Sequence, residues 1–213
     1  MIPWEWWGSG VPYAAAWARQ LARREQVQSG GGGEVLALLS HRPVVTFGRR
    51  EAPGNPSDEA LNRLGLDVYH TERGGLATWH GPGQLVGYLI CDLPKRRLRV
   101  RKVVEALEQG LGDWIGGFGL RASTRAGYPG VWLGSDKICA IGLSVQHGVT
   151  IHGFAMNLRA DTASYAHILP CGITDGGVTS LHLHRPDDAP EPLSAAPSVA
   201  RSVLAALESA VGA

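Results

Sequence analysis

Cysteine is scarce, with three residues in a chain of 213. A small odd number excludes a disulfide framework and points to a reducing compartment, the cytoplasm, where thiols are catalytic, ligating or simply buried. An excess of charge of one sign is also missing: 20 Lys and Arg face 19 Asp and Glu, a net charge of +1. The chain therefore carries no global field for gripping a nucleic-acid backbone or an anionic membrane, and neither is expected as a partner, although a local basic patch is compatible with this balance. No run of about 18 apolar residues occurs, and the opening MIPWEWWGSG has no basic stretch followed by an apolar one, so neither a spanning helix nor a secretion signal is expected. Internal repeats, Cys-x-x-Cys pairs and a His-Glu-x-x-His helix are absent as well. His182 and His184, read as strand residues, are at best weak zinc ligands with Cys171, and no metal is expected.

What is present is apolar: 44% of residues are hydrophobic and 18% charged, enough to bury a sizeable core, and one domain over residues 1–213 is the simplest organisation. Val11 to Val27 has helical spacing and runs into a glycine stretch that reads as a flexible loop over about 28–33. Without a following Lys-Ser or Lys-Thr, that stretch is a linker and not a phosphate cradle. Strands are expected at Glu34–Leu39, Val44–Phe47, Leu66–His70, within Trp79–Leu93, and at Val131–Leu133, Ile138–Gln146 and Thr150–Asn157, the last two joined by a His147-Gly148 hairpin. Helices are expected at Ser57–Leu64, Val100–Phe118 and Pro197–Val211, the last after a Pro-rich connector over about 185–197. The class is mixed α/β.

Three segments place reactive side chains among small residues: Arg73 to Tyr88, Asp136 to Gly142 and Leu169 to Ile173. Glycines there let a substrate approach the backbone and leave N–H groups free to donate. Cys171, between Pro170 and Gly172, suits either an exposed nucleophile or a small buried hydrophobe. Cys91 and Cys139 lie inside apolar strand patterns and read as core. A nucleophilic thiol needs a basic neighbour, and Lys137, His80, His152 and His167 are the candidates. Lys137 opens an otherwise apolar strand, which fits a partly desolvated base or an ordinary strand-edge lysine.

Taken together, His41 to Arg50, Arg73 to Tyr88, Lys137 to Gly142, His152 to Leu158 and Pro170 to Ile173 resemble the octanoyltransferases of lipoate synthesis, the lipoate-protein ligase B family, in order along residues 41 to 181. The resemblance implies a mixed sheet flanked by helices, shared with biotin and lipoate ligases. It also implies transfer of an octanoyl group from the thioester of acyl carrier protein to a lysine of a lipoyl domain, in a ketoacid dehydrogenase or the glycine-cleavage H protein, with no cofactor, ATP or metal. On the same ground Cys171 matches the acyl-thioester nucleophile and Lys137 the lysine that activates it and moves protons. Arg73, Gly74, Gly75, Leu76, Ala77, Thr78, Trp79, His80, Ala140, Ile141, Gly142, Gly153, Phe154 and Ala155 match segments lining the acyl pocket. Arg49, Arg50 and Arg73 are candidate docking residues. Two positions depart from the pattern: Leu89 replaces a commoner proline, and Cys139 replaces a small residue. Strand alternation would put Cys139 on the same face as Lys137 and make it a decoy thiol. Competing readings are an ATP-dependent lipoate or biotin ligase, a non-catalytic acyl or lipoyl-domain binding module, and a cysteine hydrolase using His80 or His152.

Overall fold

The computed structural model describes residues 1–50, 54–168 and 176–211. Along the chain these form β1 (Trp4–Val11), α1 (Tyr13–Gln28), β2 (Val35–His41), β3 (Val44–Phe47), α2 (Asp58–Arg63), β4 (Asp67–His70), β5 (Thr78–His80) and β6 (Gln84–Ile90). They continue with α3 (Leu93–Arg96), α4 (Val100–Gly116), β7 (Ala122–Ser123), β8 (Gly130–Leu133), β9 (Asp136–Gln146), β10 (Val149–Asn157), a 3-10 turn (Thr162–His167), α5 (Leu181–His184) and α6 (Pro192–Ser209).

Seven strands pair in the order β1-β2-β6-β10-β9-β8-β7, and a smaller sheet has the order β4-β3-β5. In the large sheet β1 runs parallel to β2 and the other pairings are antiparallel. Its central strands are covered on both faces, so alternation sorts their side chains between two cores and not between core and water. Leu36 and Leu38 of β2, with Leu85 and Leu89 of β6, face α4 and α6. Val35, Ala37 and Leu39, with Val86, Tyr88 and Ile90, face the opposite side, towards α1. A third cluster, with Val45, Leu61, Trp79 and Tyr165, fills the space behind the small sheet.

Most expected elements form where local chemistry places them. Ser57 caps α2 by accepting from the Ala60 N–H, with Asp58 and Glu59 in the first turn and Arg63 in the last. The β9–β10 hairpin turns through His147 and Gly148, both at positive φ (50° and 80°), as a two-residue loop between right-twisted strands requires. Gly30, Gly32 and Gly33 also have positive φ, so the glycine run reverses the chain between α1 and β2.

Three expectations are corrected. β1 was not anticipated; Gly8 and Gly10, which interrupt the aromatic pattern, sit at positive φ where the pairing with β2 shifts register, so they bend the strand without ending it. The connector over 185–197 is half helix: α6 starts at Pro192 and continues through Pro197. Burial of Ala195, Ala196 and Val199 against α4 and the sheet outweighs the one backbone hydrogen bond that Pro197 removes. His182 and His184 lie on the short helix α5 and not on a strand. There His184 Nε2 meets the Thr179 hydroxyl at 2.9 Å and His182 Nδ1 meets the Pro186 carbonyl at 3.2 Å.

Candidate functional site

A largely apolar cavity of about 230 Å³ opens between strands β6, β10 and β9 on one side and the Arg73–Leu76 segment with β5 on the other. Its walls include Arg73, Gly74, Gly75, Leu76, Thr78, His80, Lys137, Ala140, Ile141, Gly142, Gly153, Phe154 and Ala155. Ala77 and Trp79 do not line it. Alternation along β5 turns Thr78 and His80 inward and leaves Ala77 and Trp79 in the cluster behind the small sheet. Sequence reasoning passed over Tyr13, Val100, Val104, Tyr128, Pro129 and Leu143, which also line the cavity from separate elements and lack a shared local pattern.

Absent side chains make this space. A Cβ at Gly142 would lie 2.8 Å from the Gly74 carbonyl oxygen, and one at Gly153 would lie 2.3 Å from that of Gly87. The Arg73–Gly75 segment therefore rests directly on β9, with the Gly74 N–H donating to the Leu143 carbonyl at 2.9 Å.

Lys137 is 5% exposed and lines the cavity. Its Nζ donates to the Pro129 carbonyl at 3.2 Å and sits 4.8 Å from the centre of the Trp132 ring, two interactions that offset part of the cost of burying a polar group. The register between β8 and β9 explains its direction. Val131 pairs with Cys139 and Trp132 with Lys137, so Ile138 is an extra residue, a bulge on β9. The bulge reverses the alternation: Lys137 joins Ala140 and Gly142 on the cavity side while Cys139 enters the core beneath α4 and α6. The expectation that Cys139 and Lys137 share a face is thus corrected. Burial pushes the Cys139 thiol far up, and burial also raises Cys91, to about 11, so neither forms a thiolate readily at neutral pH.

Cys171 lies outside the described residues, as do Pro170, Gly172 and Ile173. The chain beyond that segment docks on Lys137. Its backbone N–H donates to the Gly177 carbonyl at 2.9 Å, its carbonyl accepts from the Thr179 N–H at 3.0 Å, and Asp136 accepts from the Gly177 N–H at 2.8 Å.

A buried polar hub supports the cavity wall. Gln84 donates to Asn157 Oδ1 at 2.9 Å and to the Tyr165 hydroxyl at 2.8 Å, and Asn157 donates to the Thr179 carbonyl at 3.0 Å. Asn157 thereby ties the 3-10 turn, β6 and the segment at Thr179 together. The Gln84 side-chain oxygen Oε1 accepts from His80 Nδ1 at 2.7 Å, which fixes that ring with Nε2 as the acceptor. Burial keeps His80 well below the usual imidazole range, brings His41 down to about 4 and also lowers His152, so all three are neutral at pH 7. His41 donates from Nδ1 to the Val11 carbonyl at 2.8 Å and accepts from the Tyr88 hydroxyl at 2.7 Å. Arg73 is 8% exposed, with its guanidinium on the Thr46 carbonyl at 2.6 Å and the Thr46 hydroxyl at 2.9 Å. Its burial removes it from the candidate docking residues; Arg49 and Arg50 remain exposed.

No group of three or more metal-ligating side chains occurs among the described residues. The wall is what an aliphatic chain requires, with the Lys137 amine at one place along it.

Comparison with known proteins gives a consistent set. The profile of the lipoyl protein ligase A/B catalytic domain matches residues 12–200. An octanoyltransferase of Alkaliphilus metalliredigens is 41% identical over 172 residues, covering 79% of each chain. The mitochondrial octanoyl-[acyl-carrier-protein]:protein N-octanoyltransferase of Danio rerio is 46% identical over 156 residues, 73% of this chain and 69% of that one. Among solved structures, a lipoate-protein ligase A bound with ATP superposes with a TM-score of 0.68 at 15% identity, over 98% of this chain and 85% of that one. The apo biotin protein ligase of Aquifex aeolicus gives 0.56 at 12% identity, over 100% and 72%. These structural likenesses bear on the fold alone.

Proposed function

Because this chain belongs to the lipoyl protein ligase A/B catalytic-domain family, and within it to the octanoyltransferases that serve protein lipoylation, we propose a two-step acyl transfer through Cys171. The donor is an octanoyl thioester on acyl carrier protein and the acceptor a lysine of a lipoyl domain. In the first step the Cys171 thiolate attacks the thioester carbonyl and the carrier thiolate leaves. Lys137 takes the thiol proton and returns it to the leaving sulfur. In the second step the acceptor amine attacks the acyl-cysteine, and Lys137 accepts the amine proton and hands it to the departing Cys171 sulfur, so that the thiol re-forms as the amide leaves. A thioester is already activated and its exchange onto a protein thiol is nearly balanced, so the reaction needs neither ATP nor a metal. The cytoplasm, where thiols stay reduced, belongs to the same reading.

The observation that supports this most is Lys137: an amine 5% exposed, turned by a bulge into an apolar cavity and bonded through its backbone to the chain that follows the Cys171 segment. Burying a saturated chain in such a cavity is worth about 0.8 kcal/mol per CH₂, enough to hold a medium-length acyl group while the chemistry proceeds.

The test is the intact mass of the protein after incubation with octanoyl-acyl carrier protein in the absence of ATP. Wild type and Cys139→Ser should each gain one octanoyl group and pass it to added lipoyl domain, and Cys171→Ser should not turn over at the wild-type rate. A wild type that stays unmodified, and that octanoylates lipoyl domain only from free octanoate with ATP, would be a ligase instead.

A further inference from the structure

One strongly charged surface has no part in the site just described. Between α3 and the start of α4, Lys95, Arg96, Arg97, Arg99, Arg101 and Lys102 fall within eight consecutive residues of a chain whose net charge is only +1. The concentration is therefore local and balanced by acidic surface elsewhere.

Half of these cations are neutralised in place. Arg96 makes a forked pair with Glu34 at 2.8 and 2.7 Å, and Arg101 and Lys102 share Glu105 at 2.8 and 3.5 Å. Asp92 caps α3 through the Lys95 N–H. Lys95, Arg97 and Arg99 are exposed, and none of them forms an ion pair among the described residues.

The patch adjoins the cavity. Val100, set between Arg99 and Arg101, is 42% exposed and lines the cavity together with Val104, one turn further along α4. An apolar rim preceded in the chain by three unpaired cations suits a partner that delivers an aliphatic chain into the cavity while presenting negative charge beside it. The acceptor group is a lysine, a basic side chain that gains nothing from neighbouring cations.

We infer that Lys95, Arg97 and Arg99 form the docking surface for the acyl donor, an acidic carrier protein whose acyl arm enters past Val100. The inference rests on the octanoyl-transfer reading above.

The experiment compares wild type with the Lys95→Glu, Arg97→Glu, Arg99→Glu variant, using octanoyl-acyl carrier protein and, separately, octanoyl-pantetheine, which has no protein surface. With the carrier protein, kcat/KM should fall about tenfold or more at low salt, with the change in KM, and the gap to wild type should narrow at high salt, because rim charges act on encounter and are screened. With octanoyl-pantetheine the two proteins should match, and an Arg121→Glu, Arg201→Glu control should behave as wild type with both donors. Equal kcat/KM for the carrier protein would overturn the inference and leave the patch a solvated face. An increase confined to the KM for lipoyl domain would overturn it in favour of acceptor docking. A parallel loss with octanoyl-pantetheine would overturn it as damage to the site. If wild type transferred octanoyl from neither donor, the underlying reading would fail with it.

Discussion

At the scale of single residues, the site depends on one buried amine and several missing side chains. Lys137→Met keeps most of the stem beside Trp132 and removes the amine proposed to carry the proton. Its kcat should fall by about 10²- to 10⁴-fold, the usual worth of a positioned acid-base group, while Tm stays level or rises because a buried polar group is replaced by an apolar one. Steady-state rates beside a thermal melt check both, and an active Lys137→Met would remove the amine from the mechanism. Glycines make a paired case. A Cβ at Gly153 would lie 2.3 Å from the Gly87 carbonyl oxygen, a backbone atom that cannot rotate away. Gly153→Ala should therefore cost about 1–3 kcal/mol, and each kcal/mol lowers Tm by about 2–4 °C at this chain length. Gly116, near the end of α4, has nothing within 4 Å of its would-be Cβ, so Gly116→Ala should stabilise by up to about 1 kcal/mol. Opposite shifts in the two melts are the expected result. From the sequence, the glycines were legible as places where backbone and substrate approach, but not which backbone each one touches.

At the scale of elements, the bulge in β9 and the helix α6 show where local rules mislead. Strict alternation predicted a shared face for Lys137 and Cys139, yet one extra residue, Ile138, separates them into cavity and core. A bulge has no side-chain signature of its own; it exists because two strands pair with unequal numbers of residues. Pro197 read as a boundary because proline disfavours helix interiors, and α6 nevertheless runs through it. Pro197→Ala should restore the backbone donor and raise Tm by a few degrees, the gain reduced by the freer unfolded chain that alanine allows. A lowered melt would mean that the proline ring packs against its neighbours in a way alanine cannot reproduce.

At the scale of the whole molecule, buried imidazoles couple folding to pH. His41 is held at about 4 by burial against an ordinary value near 6.5, and His80 and His152 are shifted the same way. In the window between about 4 and 6.5 the unfolded chain binds more protons than the folded one, so stability is fully present above about 6.5 and is lost as pH falls through the folded value. His41 alone should contribute about 3 kcal/mol of that loss. Chemical denaturation measured from pH 7.5 to pH 4 should show the decline, and a flat profile would mean that these rings gain new partners when protonated.

The order of most strands and helices between α1 and β10, the cap on α2, the hairpin at His147-Gly148 and the motifs around Arg73, Lys137 and His152 were readable from the chain, because each depends on neighbours within a few residues. So was the family, since its motifs are contiguous strings. Local sequence could not supply what depends on pairing across distance. The Ile138 bulge, β1 bending at its glycines, the burial of Arg73 on Thr46, and the meeting of Lys137 with Gly177 and Thr179 come from tertiary structure alone. Hydrophobic spacing tells a residue which way to face along its own strand; only the partner strand decides where that spacing breaks.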